Sequence, residues 1–274
     1  MRNKKSVLKI LSANSECFRV SAGMAGNGWV LAKLPNRKLN LKTKVEIMDE
    51  SLIEKKNGNF ANTVLGAVPS VVYNEDCVEG LKRFDDNYFD IAIVDPPYGL
   101  GNRLSDGGGK LKNTPMAVLY RDKDWDVLPT AEYWEQLFRV SKNQMVFGAN
   151  YFLEYLPSSR GIICWDKKQD MPTLSAWEFV WTSFDKPSKI YKKVSTDLDR
   201  FHPTQKPIGV YDFCLHFAKA QPQMKMLDTH VGSGSSRIAA HKAGLNFTGF
   251  GIDAEYYDKQ EKRFNDFVSQ LRMF

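Results

Sequence analysis

Leu227-Asp228-Thr229-His230-Val231-Gly232-Ser233-Gly234-Ser235-Ser236 carries the apolar run Met224–Leu227 to an acid, turns on two glycines and opens a helical stretch, Ser235–Ala243. Gly244 then supplies a C-cap. Strand, tight glycine turn and helix in direct succession is the unit from which parallel sheets are built. The same alternation extends outward. Phe247–Ile252 reads as the next strand and Ala254–Arg272 as a long terminal helix. Upstream, Pro207–Ala220 is helical, and Gln144–Phe147, Gly161–Trp165 and Glu178–Ser183 are strands. Ala131–Val140 has helical spacing, with Trp134, Leu137 and Phe138 on one face. Asp90–Val94 is a buried strand, Val78–Phe84 one or two helical turns, and Val71–Tyr73 a short apolar strand.

The first 70 residues read differently. Glu16–Val20, Trp29–Leu34 and Lys44–Met48 are expected short strands, punctuated by Gly23–Gly28 and Pro35-Asn36. They suit a small β-rich appendage in front of a domain spanning 71–274. Of 38 Lys/Arg and 32 Asp/Glu in 274 residues, twelve basic and five acidic residues fall within 1–70, so the net charge of +6 originates there. Such an arm favours a polyanion through phosphate contacts and counterion release, although a solvated leader explains charge alone equally well. No apolar run reaches bilayer length and no secretory signal follows the basic start. Cys17, Cys77, Cys164 and Cys214 have no CxxC spacing, which fits reduced thiols in a cytoplasmic protein and supports no metal site.

Two segments carry chemistry. Ile93-Val94-Asp95-Pro96-Pro97-Tyr98-Gly99 ends a buried strand at Asp-Pro-Pro-Tyr, and strand C-termini are where open α/β sheets hold ligands. An exocyclic amino group on a base is a poor nucleophile because its lone pair is delocalised into the ring. A carboxylate and a nearby carbonyl that accept its two N–H groups aim that lone pair at a methyl donor. Asp95 supplies the first. Pro96, with fixed φ and a Pro neighbour, presents a rigid carbonyl. Tyr98 offers a stacking face worth roughly 1–3 kcal/mol, comparable with the few kcal/mol that extrude a base. The plain alternative is a turn in which Asp95 caps and Tyr98 packs. In the second segment, Gly232 and Gly234 permit close approach of a ligand, and free N–H groups at the helix start can hold a carboxylate. An ATP-binding loop requires Gly-Lys-Ser/Thr; here Gly234 is followed by Ser235, Ser236 and Arg237. The loop suits a small zwitterion.

With Phe201-His202-Pro203-Thr204-Gln205-Lys206-Pro207 between them, these segments resemble the β-group amino DNA methyltransferases, particularly compact adenine-specific enzymes of phages and prophages. The likeness runs from Tyr73-Asn74-Glu75-Asp76-Cys77 to the end. It implies an α/β, Rossmann-like fold that binds S-adenosylmethionine (SAM), circularly permuted, with a mostly parallel sheet and helices on both faces. It implies Asp95, Pro96 and Tyr98 at the target amine, with Pro97 beside the substrate; Asn150, which follows a strand end near the expected target pocket, is a candidate substrate contact. The likeness also implies Asp228, Gly232, Gly234 and Ser235 along the SAM methionine, Thr204 and Lys206 closing that pocket, and Asp76 and Cys77 near the adenine. The family's ribose-binding Glu aligns with Gly251, so Asp253 is the expected substitute. Thr229-His230 stand where the family has Pro-Phe.

The expected reaction is methyl transfer from SAM to adenine N6 in double-stranded DNA with base flipping, without metal or membrane, in a cytoplasmic, prokaryotic or phage-encoded protein. Related enzymes often form homodimers. N4 of cytosine or an RNA amino group is the alternative substrate, and a degenerate DNA-binding module the alternative class. Related cytosine-N4 enzymes tend to carry Ser where this chain has Asp95. Target recognition is expected in irregular insertions near 99–126 and 167–200. The aromatic segment Trp165–Tyr191 is read as packed strand core, and His216, His230 and His241 as structural.

Overall fold

The computed structural model describes residues 68–100, 126–169, 175–195 and 200–271, together with the short strands at 11–12, 17–20, 30–33, 47–48, 110–111 and 114–115. Contacts divide the chain into two units, residues 1–44 and 45–274. The first holds an antiparallel sheet of β1 (Leu11–Ser12), β2 (Cys17–Val20) and β3 (Val30–Lys33). The sequence suggested a boundary at residue 70. The contact division is earlier because β4 (Ile47–Met48) pairs in parallel with β12 (Lys189–Lys192), Ile190 opposite Ile47.

The second unit is organised by a nine-stranded sheet among the described residues. Its other strands are β5 (Ser70–Tyr73), β6 (Ile91–Val94), β9 (Gln144–Phe147), β10 (Ile162–Asp166), β11 (Trp177–Thr182), β13 (Lys225–Asp228) and β14 (Asn246–Phe250). Their order is β4-β12-β10-β11-β9-β6-β13-β14-β5. β11 runs antiparallel to both β10 and β9, and the other pairs are parallel. A separate hairpin joins β7 (Lys110–Leu111) and β8 (Thr114–Pro115). The segment 167–200, where irregular recognition insertions are expected, therefore supplies β12 as well as the expected strand near 178–183. β12 escapes notice because Lys-Ile-Tyr-Lys is short and half basic. β14 stops at Phe250, where the Gly251 N–H turns to the Tyr73 carbonyl. Most of the glycine-rich stretch 99–110 lies outside the described residues.

β6 shows why the sheet is buried on both faces. Ile91 and Ile93 enter one apolar cluster with Val210, Phe213 and Phe217 of α3 (Ile208–Ala218) and Ala239 of α4 (Ser235–Lys242). Ala92 and Val94 enter the opposite cluster with Leu81 of α1 (Cys77–Leu81) and Trp134 and Leu137 of α2 (Ala131–Val140). The two-residue period of a strand sends alternate side chains to opposite faces, so covering both faces requires an uninterrupted apolar run. Each such side chain, removed from water, contributes about 1.5–3 kcal/mol before entropy. α5 (Ala254–Leu271) packs against α4, where buried Arg237 bonds Ser70, Gln260 and Glu261.

This topology sets the location of the site. From β6 the chain passes through α2, on one face, to β9. From β13 it passes through α4, on the other face, to β14. β6 and β13 lie side by side with Leu227 opposite Ala92. Their C-terminal tips thus flank the point where the winding reverses, the crevice in which open α/β sheets bind ligands.

Candidate active site

A cavity of about 940 Å³ opens over that crevice. The structure brings Asp95, Pro96, Pro97, Tyr98, Asn150, Asp76, Cys77, Thr204, Lys206, Gly232 and Asp253 to its wall. Asp228, Gly234 and Ser235 are set back from it. The Asp228 carboxylate is fully buried, and its Oδ1 accepts the His230 N–H at 3.0 Å. The Gly234 Cα faces Gln260, and the Ser235 hydroxyl is held by Arg263 at 2.9 Å.

Asp95 begins where β6 ends. The Tyr98 hydroxyl lies 2.6 Å from its Oδ1, and the Lys206 ammonium donates to its Oδ2 at 2.5 Å. Both donors are shared. Tyr98 Oη is also 2.9 Å, and Lys206 Nζ 3.0 Å, from Oε1 of Glu178 on β11. Lys167 holds the other Glu178 oxygen at 3.1 Å. The Lys206 and Glu178 side chains are only 5% and 11% exposed, so these charges interact in low dielectric. Burial pushes the Asp95 carboxyl up against the pull of Lys206, with the Glu178 charge adding to the rise. Burial acts on Glu178 in the same sense, but Lys206 and Lys167 outweigh it and bring it to about 2. Lys206 is raised: burial opposes its charge, and the two carboxylates prevail. Tyr98 stays a phenol, since burial and both carboxylates raise it.

Gly148 allows the ring of Tyr98 to lie where it does. Its φ of 61° suits glycine, and a Cβ there would stand 2.2 Å from Tyr98 Cε1. Tyr151, at the end of the 3₁₀ turn Ala149–Tyr151, stacks on Tyr98 with centroids 4.8 Å apart and planes 16° apart. One face of Tyr98 is therefore covered by the chain itself. Asn150, between them, is exposed at the cavity rim.

At the other end, the Asp76 carboxylate caps α1 by accepting the N–H groups of Val78 at 2.8 Å and Glu79 at 3.1 Å. Burial pushes the Cys77 thiol up to about 12. The His230 ring packs 5.5 Å from Tyr133, and burial lowers it to about 4, so it is neutral. Thr204 leans on His202, whose ring meets Tyr256 edge-on at 4.2 Å. Burial lifts Asp228 to about 7, while the Ser236 hydroxyl and the His230 N–H pull the other way. Its Oδ2 is buried and makes no well-formed hydrogen bond among the described residues. Asp253 Oδ1 accepts the Tyr256 N–H at 3.1 Å, and a Cβ placed on Gly251 would meet nothing within 4 Å.

Sequence reasoning missed Glu178, Lys167 and Tyr151 at this site. It also placed Trp177 in the packed core, whereas Trp177 is 40% exposed and lines the cavity. One signal was available: Glu178 is an acid inside Trp-Glu-Phe-Val-Trp-Thr, and a buried carboxylate needs a cation. Lys206, expected to close the methionine pocket, lines the same cavity as the Gly232 turn, and its ammonium pairs with Asp95 and Glu178. Among the described residues no cluster of three or more His, Cys, Asp or Glu could hold a metal ion, and no helix is long and apolar enough to cross a membrane.

Comparison with known proteins agrees with the resemblance read from the motifs. Residues 158–262 match the DNA methylase family of the N6/N4 type. The Type II methyltransferase M2.MboI of Moraxella bovis is 23% identical over 250 residues, covering 73% of this chain and 89% of that protein. The Type II methyltransferase M.HinfI of Haemophilus influenzae is 21% identical, covering 78% and 71%. Among solved structures, the cytosine-N4-specific PvuII DNA methyltransferase aligns with a TM-score of 0.49 at 14% identity over 72% of this chain and 86% of that one. These similarities support a DNA methyltransferase of the N6/N4 amino type, a SAM-dependent class.

Proposed function

We propose that the protein transfers the methyl group of SAM to N6 of adenine in double-stranded DNA, acting on a base flipped out of the duplex. The observation that carries this reading is the Asp95 carboxylate at the tip of β6, sharing one cavity with the Gly232 turn after β13. When bound, SAM supplies an electrophilic methyl group, and no covalent protein nucleophile is needed.

The protein's own residues orient and stabilise. Asp95 and the Pro96 carbonyl accept the two N–H groups of the target amine, which directs its lone pair and stabilises the positive charge that develops on nitrogen. The Asp95 carboxyl, raised by burial, stands where it can take up the departing proton. Tyr98 provides the stacking surface. The cavity volume suits a ligand of cofactor size with room for a base. The buried Asp228 Oδ2, next to the Gly232 turn, suits an ammonium group, and Asp253, with open space beside Gly251, suits a ribose. Adenine is preferred because related cytosine-N4 enzymes tend to have Ser at the position of Asp95. The basic N-terminal quarter would add phosphate contacts. The Type II relatives suggest a role in restriction-modification.

The test uses tritiated SAM and DNA from a host without methylation, followed by nucleoside chromatography. Label in N6-methyldeoxyadenosine that disappears in Asp95→Asn is the expected result. Label in N4-methyldeoxycytidine would replace adenine by cytosine, and normal activity of Asp95→Asn would reject the catalytic assignment.

A further inference from the structure

Each Asp95 oxygen already accepts a donor, Tyr98 at one and Lys206 at the other. Each oxygen keeps a second lone pair, but while both donors stay they compete with a target amine for the carboxylate's charge, so the amine gains the full acceptor only as they move away. In a buried site, a released ammonium or hydroxyl without another acceptor is costly, since leaving one charge of a buried pair uncompensated costs about 3–5 kcal/mol. Glu178 Oε1 is already within hydrogen-bond distance of both donors, and Lys167 anchors its second oxygen. Glu178 approaches from β11, with β9 between that strand and β6, so it can hold the donors without standing on Asp95. We infer that Glu178 is a positioning residue: it takes over the Tyr98 hydroxyl and the Lys206 ammonium when the amine binds, and so frees Asp95 for the reaction. This rests on the reading of Asp95 given above.

The charges give the idea a signature that packing alone lacks. The groups acting on Asp95 are Tyr98 on its own loop, Lys206 just before α3, and Glu178 on β11, with Lys167 beyond Glu178. Tyr133 of α2, Tyr211 of α3 and Asp228 of β13 feel its charge in turn. Glu178→Gln removes a negative neighbour and leaves Lys206 to Asp95 alone. The Asp95 carboxyl then ionises more readily, and the acid limb of the kcat profile moves to lower pH. Lys167→Met removes a positive neighbour and moves the limb to higher pH.

The experiment measures kcat against pH for wild type, Glu178→Gln and Lys167→Met, with tritiated SAM and unmethylated DNA, and checks folding by thermal melting. The inference expects kcat of Glu178→Gln to fall on the order of tenfold, the size of one lost hydrogen bond to a charged group, and the two limbs to move in opposite directions. If Glu178→Gln fails to fold, the limb of Lys167→Met decides alone. A kcat of Glu178→Gln within about twofold of wild type, or limbs that stay put or move together, overturns it. Asp95→Asn separates the two levels: an inactive Asp95→Asn beside a normal Glu178→Gln defeats only the positioning role, whereas an active Asp95→Asn defeats the catalytic reading.

Discussion

Gly251→Glu should tighten SAM binding. Gly251 sits on the cavity wall just beyond β14, with its N–H bonded to the Tyr73 carbonyl at 3.0 Å and its carbonyl to the Asn74 amide at 2.7 Å. The backbone is therefore fixed before a side chain is added. Its φ is not in the left-handed region, and the Cβ would enter open space, so neither strain nor a clash opposes the change. A carboxylate reaching a ribose hydroxyl forms a hydrogen bond to a charged group, worth about 1.5–3 kcal/mol. Immobilising the Glu side chain costs about 1.5–2 kcal/mol once. With two hydroxyls bonded at the lower end of the hydrogen-bond range, the net is on the order of 1–2 kcal/mol, a roughly five- to thirtyfold fall in Kd. Calorimetric titration with SAM reads this directly. Asp253→Asn is the companion: asparagine keeps the cap on α5 but loses the charge, so affinity falls if Asp253 serves the ribose. If Gly251→Glu folds as wild type and binds SAM no more tightly, the ribose does not lie along this edge.

Gly148→Ala places a methyl group into the Tyr98 ring at a left-handed φ; it should cost about 1–3 kcal/mol of stability and lower kcat, and a wild-type single-turnover rate would contradict the proposed role of Tyr98. Asp228 has its pKa raised from 3.8 to about 7, so its contribution to stability is complete below pH 3.8 and lost as pH rises through 7. Asp228→Asn, measured without SAM, should therefore melt higher than wild type at pH 8 and equally at pH 4. A variant that melts lower at pH 8 would show that the buried carboxylate is stabilised by something else.

Local signals made much of this molecule legible. The uninterrupted apolar run Ile91–Val94 and the glycine turn after Asp228 are encoded within a few neighbours, and the structure has strands and helices near each expected position. What stayed hidden depends on distant pairing. Lys206 meets Asp95 across 111 positions and Tyr98 meets Glu178 across 80, and no local pattern announces either contact. β12 was missed for the same reason: Lys-Ile-Tyr-Lys becomes a strand only because β10 and β4 flank it. Asp228 combines both cases: its motif is local, whereas its burial behind the cavity wall, with Oδ1 accepting the His230 N–H, depends on the folded turn.

The adjacency of β6 and β13 has a consequence for how the chain emerges from the ribosome. The strand carrying Asp95 is synthesised about 130 residues before the neighbour that completes its inner edge, an interval of seconds to tens of seconds at ordinary elongation speeds. Through that interval the apolar Ile91–Val94 has only β9 to pair with, leaving a bare edge open to wrong partners. Slow decoding between the two segments should accordingly favour aggregation, and a chaperone that shields such edges should raise the yield of native protein.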